Sequence, residues 1–229
     1  MKKSVIIPVI PLVVSVILFF AGCEKENGLP VDGDGNHYDT VVIGTQVWLK
    51  ENLKTTKYNN GVSIPLVTDD EKWASMTSAA YCWYDNSPEK YKENYGALYN
   101  WYVVNTGLLC PVGWHVPTKE EGETLIDYLG GPNGAGAKLK DTKFWTCPPG
   151  YRMDCSGTNE SGFSARPGGA RDSDDGTSNG IGSFGYWWSS SEYWTGENAW
   201  IINIHYDAFL TIKPAFKKSG FSIRCIKNN

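Results

Sequence analysis

The pattern of hydrophobic and polar positions predicts β-strands near the start and the end of the chain's main part. Thr40-Val41-Val42-Ile43 and Gln46-Val47-Trp48-Leu49 are rich in β-branched and aromatic residues, and Gly44-Thr45 separates them. Two such runs around a short turn predict a β-hairpin. Further strands are predicted at 185–189, 199–205 and 220–226. In the last of these, Phe221, Ile223 and Cys225 would share one face.

Two segments have the apolar spacing that is typical of helices. Leu98, Trp101 and Tyr102 predict a helix over 95–104. Thr118-Lys119-Glu120-Glu121 is a capping box, which predicts a second helix that ends at Gly130-Gly131. Segments 132–136 and 164–185 are rich in Gly, Asp, Ser and Asn, so they are predicted to be loops. The expected fold class is α+β, with two helices, a mixed or antiparallel sheet and long irregular loops.

The amino terminus has the pattern of a secretory signal. Two lysines precede an apolar run over 5–20, which is shorter than the roughly 18 to 20 residues of a membrane span. Phe20-Ala21-Gly22-Cys23 resembles the lipobox of bacterial lipoproteins, in which cleavage leaves the cysteine first and acylated. We therefore expect a signal peptide at 1–22, a lipidated Cys23 with a linker to 35, and one domain over 36–229. The alternative is a retained anchor helix.

The residues after Cys23 bear on which membrane leaflet the protein would occupy. Glu24-Lys25-Glu26 resembles the short charged signal that sends some lipoproteins to the outer leaflet of the outer membrane, but it also fits a solvated tether. The Gly- and Asp-rich stretch up to 35 is typical of a flexible linker. Lipidation would make the membrane the first expected partner, with a location at the outer membrane and its cell-surface side.

Composition and charge exclude several classes of protein. The chain has 229 residues, 10 Trp and 13 Tyr, and only 20% of it is charged, so it is not intrinsically disordered. Its formal net charge is -4, and its lysines and arginines do not cluster. Binding to nucleic acid needs clustered positive charge, so we expect no nucleic-acid partner.

Cysteine use fits an oxidising compartment. With Cys23 committed to lipid, five cysteines remain, so at least one is free. Cys147 and Cys155 could close a local disulfide, and Cys110 and Cys225 could tie the middle of the chain to its last strand. Cys82 lies in an apolar segment, which favours a buried and unreactive thiol.

No catalytic constellation is visible in the sequence. The chain has three His and no Gly-x-Ser-x-Gly elbow, and Ser189-Ser190-Ser191 is better explained as a strand end than as a nucleophile. His115 is expected to be packed and hydrogen-bonded, and His205 to be exposed on a strand. We expect no enzyme activity and no obligatory cofactor.

Two acidic segments are candidates for calcium sites. Asp32-Gly33-Asp34-Gly35-Asn36 resembles the start of a calcium loop but has Ile43 at the twelfth position, so a tight turn is expected. Asp172, Asp174 and Asp175 lie in one Gly-flanked loop and could supply oxygen ligands to calcium. The alternative for this second loop is a solvated surface segment.

The aromatic residues near the carboxyl end are the remaining candidates for binding. A short segment beside the irregular loops contains four of them, Trp187, Trp188, Tyr193 and Trp194. Glycan sites use exposed aromatic faces, and exposed Trp is otherwise uncommon. Because neighbouring residues of a strand face opposite sides, one of Trp187 and Trp188 is expected in the core and the other could be exposed.

Six motifs in order resemble the Fibrobacter succinogenes major paralogous domain family, whose members are secreted or lipid-anchored bacterial proteins, many from Bacteroidetes. They begin at Val42, Tyr95, Cys110, Asn159, Gly185 and Gly220, and the resemblance spans about 32–227. It implies a C-type-lectin-like fold, in which a disulfide ties the terminal strand back. A Cys110–Cys225 pair would suit that fold. The formylglycine-generating enzymes that share it need reactive cysteines near the carboxyl end, where Cys225 is better explained as a disulfide partner.

The family has no settled activity to carry over. Its Leu-Pro-Gly-Gly-Tyr-Arg motif reads here as Arg166-Pro167-Gly168-Gly169-Ala170-Arg171, so the surface near that loop could differ, and Arg171 joins the candidate ligand-binding residues. The expected function is a surface lipoprotein with a non-catalytic binding or adhesion module for a glycan or a host or surface protein. The alternatives are a subunit of a surface appendage or envelope complex, and an unrecognised enzyme.

Overall fold

The computed structural model describes residue 1, residues 28–194 and residues 196–228. The fold is mixed, with helices and small sheets, as the α+β expectation requires. The signal peptide and the lipidation at Cys23 lie outside the described residues. No helix among the described residues is long and apolar enough to cross a membrane.

The described residues form five α-helices rather than the two that were expected. They are α1 (Asp70–Ser75), α2 (Pro88–Tyr95), α3 (Trp101–Val104), α4 (Lys119–Tyr128) and α5 (Pro132–Leu139). The predicted α4 is confirmed with its complete capping box: Thr118 accepts from the backbone N–H of Glu121, and the Glu121 carboxylate accepts from that of Thr118. The predicted continuous helix over 95–104 is wrong, since α2 ends at Tyr95, residues 96–100 are not helical, and α3 covers only Trp101–Val104.

Within the described part of the chain, the strands form one four-stranded, one three-stranded and two two-stranded sheets. They are β1 (Thr40–Ile43), β2 (Gln46–Leu49), β3 (Tyr81–Cys82), β4 (Leu98–Tyr99), β5 (Trp114–His115), β6 (Ala170–Arg171), β7 (Ser178–Asn179), β8 (Phe184–Glu192), β9 (Asn198–His205), β10 (Leu210–Phe216) and β11 (Ile226–Lys227). The four-stranded sheet has the order β1-β2-β11-β5, and the three-stranded sheet the order β10-β9-β8. The pairs in both sheets are antiparallel.

The predicted strands are confirmed in part. The hairpin β1–β2 pairs Thr40 with Leu49 and Ile43 with Gln46, as its turn requires. Strands β8 and β9 extend slightly beyond their predicted bounds, and β10 was not predicted. The expected strand over 220–226 is mostly irregular: Gly220, Phe221 and Ser222 make single bridges, and regular pairing begins only at Ile226.

Two hydrophobic clusters cover the two faces of the three-stranded sheet. Trp188, Ala199 and Ile201 belong to the larger cluster. Trp187 and Ile202 belong to a second cluster, which includes the apolar face of α4. Because both faces of β8 and β9 are covered, the strands are buried on both sides along their central part.

Two glycines let the helices α4 and α5 approach this sheet. A Cβ at Gly122 of α4 would lie 2.9 Å from Cδ1 of Ile202, and one at Gly136 of α5 would lie 1.9 Å from the carbonyl oxygen of Ala208. Gly122 costs helix stability relative to Ala, and close packing explains why it is present. The segment 132–136, which was expected to be a loop, is helical because its small residues fit this contact.

Both expected disulfides are present. Cys110 pairs with Cys225 across 115 positions, and Cys147 pairs with Cys155 across eight. The first lies in the larger cluster, beside β11. Cys82 is free and fully buried, and burial raises the pKa of its thiol to about 11. The prediction of a buried thiol is thus confirmed, and a raised pKa keeps the thiol protonated, the less reactive form.

The turn at 32–36 is the tight turn that the sequence predicts. Oδ1 of Asp32 accepts hydrogen bonds from the backbone N–H groups of Asp34 and Asn36, at 3.0 Å each. The hydroxyl of Tyr38 donates to the other oxygen of the same carboxylate at 2.6 Å. The folded body therefore includes residues 32–35, which were assigned to the linker.

Candidate functional site

An aromatic patch lies at the turn between β8 and β9, and consists of Tyr193, Trp194 and Trp200. The Trp194 side chain is 87% exposed, the highest value among the tryptophans of the described residues. Its ring centroid lies 5.6 Å from that of Tyr193, which lies 5.0 Å from that of Trp200. Both contacts are edge-to-face, a favourable geometry for aromatic pairs. The patch thus presents a run of rings with differently oriented faces.

The turn that carries the patch is held by hydrogen bonds. The N–H of Tyr193 donates to the carbonyl of Asn198 at 2.9 Å, and the N–H of Gly196 donates to the carbonyl of Tyr193 at 3.1 Å. Gly196 has a φ of 77°, a conformation that favours glycine. Nζ of Lys217 donates to the Gly196 carbonyl at 2.6 Å and is paired with Glu192. Thr195, in the same turn, lies outside the described residues.

Charged groups border the patch on the side of α4. The ammonium of Lys119 lies 5.1 Å from the centroid of the Trp200 ring, in cation–π range, and 2.5 Å from a carboxylate oxygen of Glu123. The backbone N–H of Lys119 donates to the hydroxyl of Ser191, which fixes the start of α4 against the end of β8. The patch thus combines the exposed Trp194 ring and two half-buried rings with hydrogen-bonding groups at its edge.

Trp187 and Trp188, which were candidates for binding, are both buried. They are 2% and 0% exposed. Their indole N–H groups are used inside the protein, since Trp187 donates to Asn52 at 2.9 Å and Trp188 to the Tyr99 carbonyl at 2.7 Å. The expectation that one of the two could be exposed is corrected, because each face of β8 lies against its own hydrophobic cluster.

Arg171, another candidate, is also buried and has no donor left for a ligand. Its Nε donates to the carbonyl of Gly176 at 2.7 Å. Its two terminal nitrogens donate to the Val67 and Thr68 carbonyls and to the side chains of Asn86 and Asp70. An arginine that satisfies carbonyls from separate loops is a structural clamp. The prediction of Arg171 as a ligand-binding residue is therefore wrong, because this residue holds the loops together.

The three aspartates proposed as calcium ligands are used within their own loop. Asp172 accepts from the backbone N–H of Asp174, Asp174 from the Ser173 hydroxyl, and Asp175 from the N–H and hydroxyl of Thr177. Hydrogen bonds from Thr177 lower the pKa of Asp175. The described residues contain no group of three His, Cys, Asp or Glu side chains that could hold a metal ion. The geometry therefore fits the solvated-loop alternative.

A second concave surface lies beside Arg171, on the sheet face opposite α4. It is an open groove of about 290 Å³, and its walls include Tyr186, Lys213 and Asp172. Ile201 and Lys213 are opposite one another in the β9–β10 register, so they share this face. Burial raises the pKa of Tyr186. Sequence reasoning missed this groove because β10 was not predicted, although its alternation from Leu210 to Lys213 is a strand signal.

His115 and His205 are engaged in structural contacts. Nε2 of His115 lies 2.9 Å from Glu121, and Nδ1 lies 2.7 Å from Asn228. The expectation of a hydrogen-bonded His115 is confirmed. His205 is half-buried rather than exposed: Nε2 lies 2.7 Å from Asn203, and burial lowers the pKa of its ring. These two imidazoles are therefore already oriented by neighbours within the fold.

Comparison with known proteins places the sequence in one family. The model of the family described as "Fibrobacter succinogenes major domain" matches residues 41–227, most of the chain. No curated protein and no solved structure matches the chain significantly.

Proposed function

This chain belongs to the Fibrobacter succinogenes major domain family, and we propose that it is a non-catalytic binding module of a bacterial surface lipoprotein. The family carries no stated activity, so the proposal rests on the molecule itself. The single observation that carries it is the exposed Trp194 on a hydrogen-bonded turn. Burying such a ring against a ligand is favourable, and an ordered platform loses little entropy on binding.

The favoured ligand is a glycan. Sugar rings have apolar faces that stack on aromatic rings and hydroxyls that hydrogen-bond at the edge of the contact. The aromatic patch offers both, since Trp194 and Tyr193 supply ring faces and Lys119 and Glu123 supply polar groups. A protein ligand is the runner-up, because Trp and Tyr are also enriched at the centres of protein interfaces.

A glycan array tests the proposal on the mature chain, with Trp194→Ala and Trp194→Phe as variants. We expect wild-type binding, loss in Trp194→Ala and partial retention in Trp194→Phe. Tyr128→Ala is the matched control, because Tyr128 is also an exposed aromatic but lies at the end of α4. Binding that survives Trp194→Ala would remove the aromatic patch from the proposal, and an empty array with a stable co-purifying partner would favour an envelope-complex subunit.

The finer fold assignment is part of the same proposal. We propose a C-type-lectin-like domain, supported by the Cys110–Cys225 disulfide beside the final strand and by the long irregular stretch between α5 and β8. Five helices rather than two would then be elaborations of that fold. An experimental structure whose strand order could not be superposed on a C-type lectin would overturn it.

The location is proposed to be the outer membrane, with lipid on Cys23 as the anchor. The lipobox at 20–23 supports it. Protease treatment of intact cells tests the surface side: the domain should be cleaved or shed without breaking the envelope. Protection until the envelope is broken would restrict the protein to the inner leaflet and exclude surface adhesion.

A further inference from the structure

A large open groove lies beside Gly28, the first residue of the main described segment. It has a volume of about 790 Å³, and its walls come from the residues after Gly28, the β1–β2 hairpin and the loop before β5. Its apolar wall residues include Leu29, Val31, Val112 and Trp114, and Lys227 lies beside them. Val112 is 83% exposed, and Leu29 and Val31 are also exposed. We refer to this surface as the amino-terminal groove.

Exposed apolar side chains that cluster on a concave surface mark a contact with something else. Here the length of the preceding chain limits what that can be. Cys23 is five positions before Gly28, and five extended residues span at most about 18 Å. An acylated Cys23 would lie at the membrane surface, so Gly28, where the wall of the groove begins, would be held within that short reach of the lipid.

From this placement we propose that the amino-terminal groove is a membrane-contacting face, which seats Leu29, Val31 and Val112 in the headgroup region of the bilayer. The inference rests on the lipid anchor proposed above. It goes beyond that anchor, because it assigns an orientation to the domain. The groove would face the membrane, and the acyl chains would enter the bilayer beside it.

The charges of the groove fit a lipid surface. None of the described residues that line it is acidic, and Lys227 supplies a cation that can approach phosphate groups of lipids. The intervening residues Glu24-Lys25-Glu26-Asn27 are polar, so folding back into an apolar groove would bury charge without compensation. Acyl chains anchor the protein, and the exposed apolar side chains add a second contact that fixes its orientation.

Site-specific fluorescence on the full lipidated protein in vesicles tests the orientation. Leu29→Cys and Val112→Cys would each carry an environment-sensitive fluorophore, and Phe209→Cys is the control. Leu29 and Phe209 are matched at 48% and 47% exposed, and Phe209 lies in the β9–β10 turn, outside the groove. Cys82 is buried and should stay unlabelled in the folded protein.

We expect blue-shifted emission, and quenching by headgroup-labelled nitroxide lipids, at 29 and 112 but not at 209. Equal responses at the three positions would overturn the inference. Shielding at 29 and 112 without quenching by lipid would also overturn it, since a second copy or another protein would then cover the groove.

Mass analysis of the amino-terminal peptide separates this inference from the anchor on which it rests. An acylated Cys23 with no lipid contact at 29 and 112 leaves the anchor standing and removes the groove contact. A Cys23 without acyl chains overturns both. The circular dichroism of each labelled variant should match the wild type, and a variant that misfolds is replaced by Val31→Cys, which lies on the same wall.

Discussion

Trp188 and Trp194 stand close together on one hairpin, yet they occupy opposite environments. Trp188 lies in the middle of β8, is fully buried and bonds the Tyr99 carbonyl. Trp194 lies past the end of the same strand and is almost fully exposed. The two residues differ in how much of the protein covers them. Hydrophobic clusters cover both faces of the sheet at Trp188, whereas at Trp194 the sheet has ended. Identical residue types therefore serve the core in one place and a candidate ligand surface in the other.

The largest effect on the buried core around Trp188 is expected from removal of the long-range disulfide. Cys110→Ser with Cys225→Ser should lower the free energy of unfolding by about 4–5 kcal/mol, because the bond closes a loop of over a hundred residues in the unfolded chain. Urea unfolding followed by tryptophan fluorescence measures this. A loss below about 1 kcal/mol would mean that the cluster around Trp188 does not depend on this tie.

Trp188→Ala should lower the free energy of unfolding by about 3–5 kcal/mol, since it removes a large ring from a packed core. It also removes one of the two hydrogen bonds that the Tyr99 carbonyl accepts, and the bond from the backbone N–H of Phe221 remains. The same urea experiment gives the value. Trp188→Phe is the control, because it keeps an aromatic ring against Phe221 while it removes the N–H. An alanine variant as stable as the wild type would show that Trp188 contributes no more to stability than the exposed Trp194.

The local disulfide should have an intermediate effect. Cys147→Ser with Cys155→Ser removes a loop of eight positions, for which the chain-entropy relation gives about 2–3 kcal/mol. Thermal unfolding of the double variant measures the change. A cost equal to that of the Cys110–Cys225 pair would indicate that the 147–155 loop supports the core directly.

The buried Lys140 should make the stability of the folded protein depend on pH. Its ammonium is buried and donates to the Cys155 and Tyr206 carbonyls, and burial lowers the pKa of the side chain to about 8. The unfolded chain then binds more protons than the folded protein between pH 8 and about 10.4, so stability should rise with pH in that window. We expect the free energy of unfolding of the wild type, relative to that of Lys140→Met, to rise by about 1–2 kcal/mol from pH 8 to pH 9.5. Urea titration at each pH measures it.

Trp194→Ala should have the smallest effect on stability, within about 0.5 kcal/mol, because its side chain is almost wholly in water. Its glycan binding should nevertheless be lost. A thermal shift of several degrees in this variant would show that Trp194 supports the fold and would weaken its assignment to ligand binding.

The sequence predicts those parts of the fold whose local signals agree with the tertiary structure. The hairpin at 40–49 and the capped helix α4 carry such signals. Helix α2 (Pro88–Tyr95) has no buried residue, so its sequence lacks the apolar stripe that would predict a helix. The predicted helix over 95–104 fails because Gly96 has a φ of 75°, and because the buried Asn100 side chain bonds Ala80 and Ser78.

The candidate site was only half predictable, for a similar reason. Trp194 is exposed and Tyr193 half-buried at a turn, as an aromatic run beside irregular loops can suggest. The burial of Trp187, Trp188 and Arg171 follows from partners far along the chain, such as Asn52, Tyr99 and Val67. Strand alternation assigns sides to residues, but it does not reveal that both sides are covered.

The placement of β11 between β2 and β5 has a topological consequence. Leu29 and Lys227 line the same groove, so the two ends of the described domain meet on one surface. A short linker should join them in a circular permutant, with new ends opened at an exposed turn such as Gly130-Gly131 between α4 and α5. A reporter fused after β11 would likewise lie beside the proposed lipid anchor, whereas one inserted at the permutation point would be carried on another part of the domain.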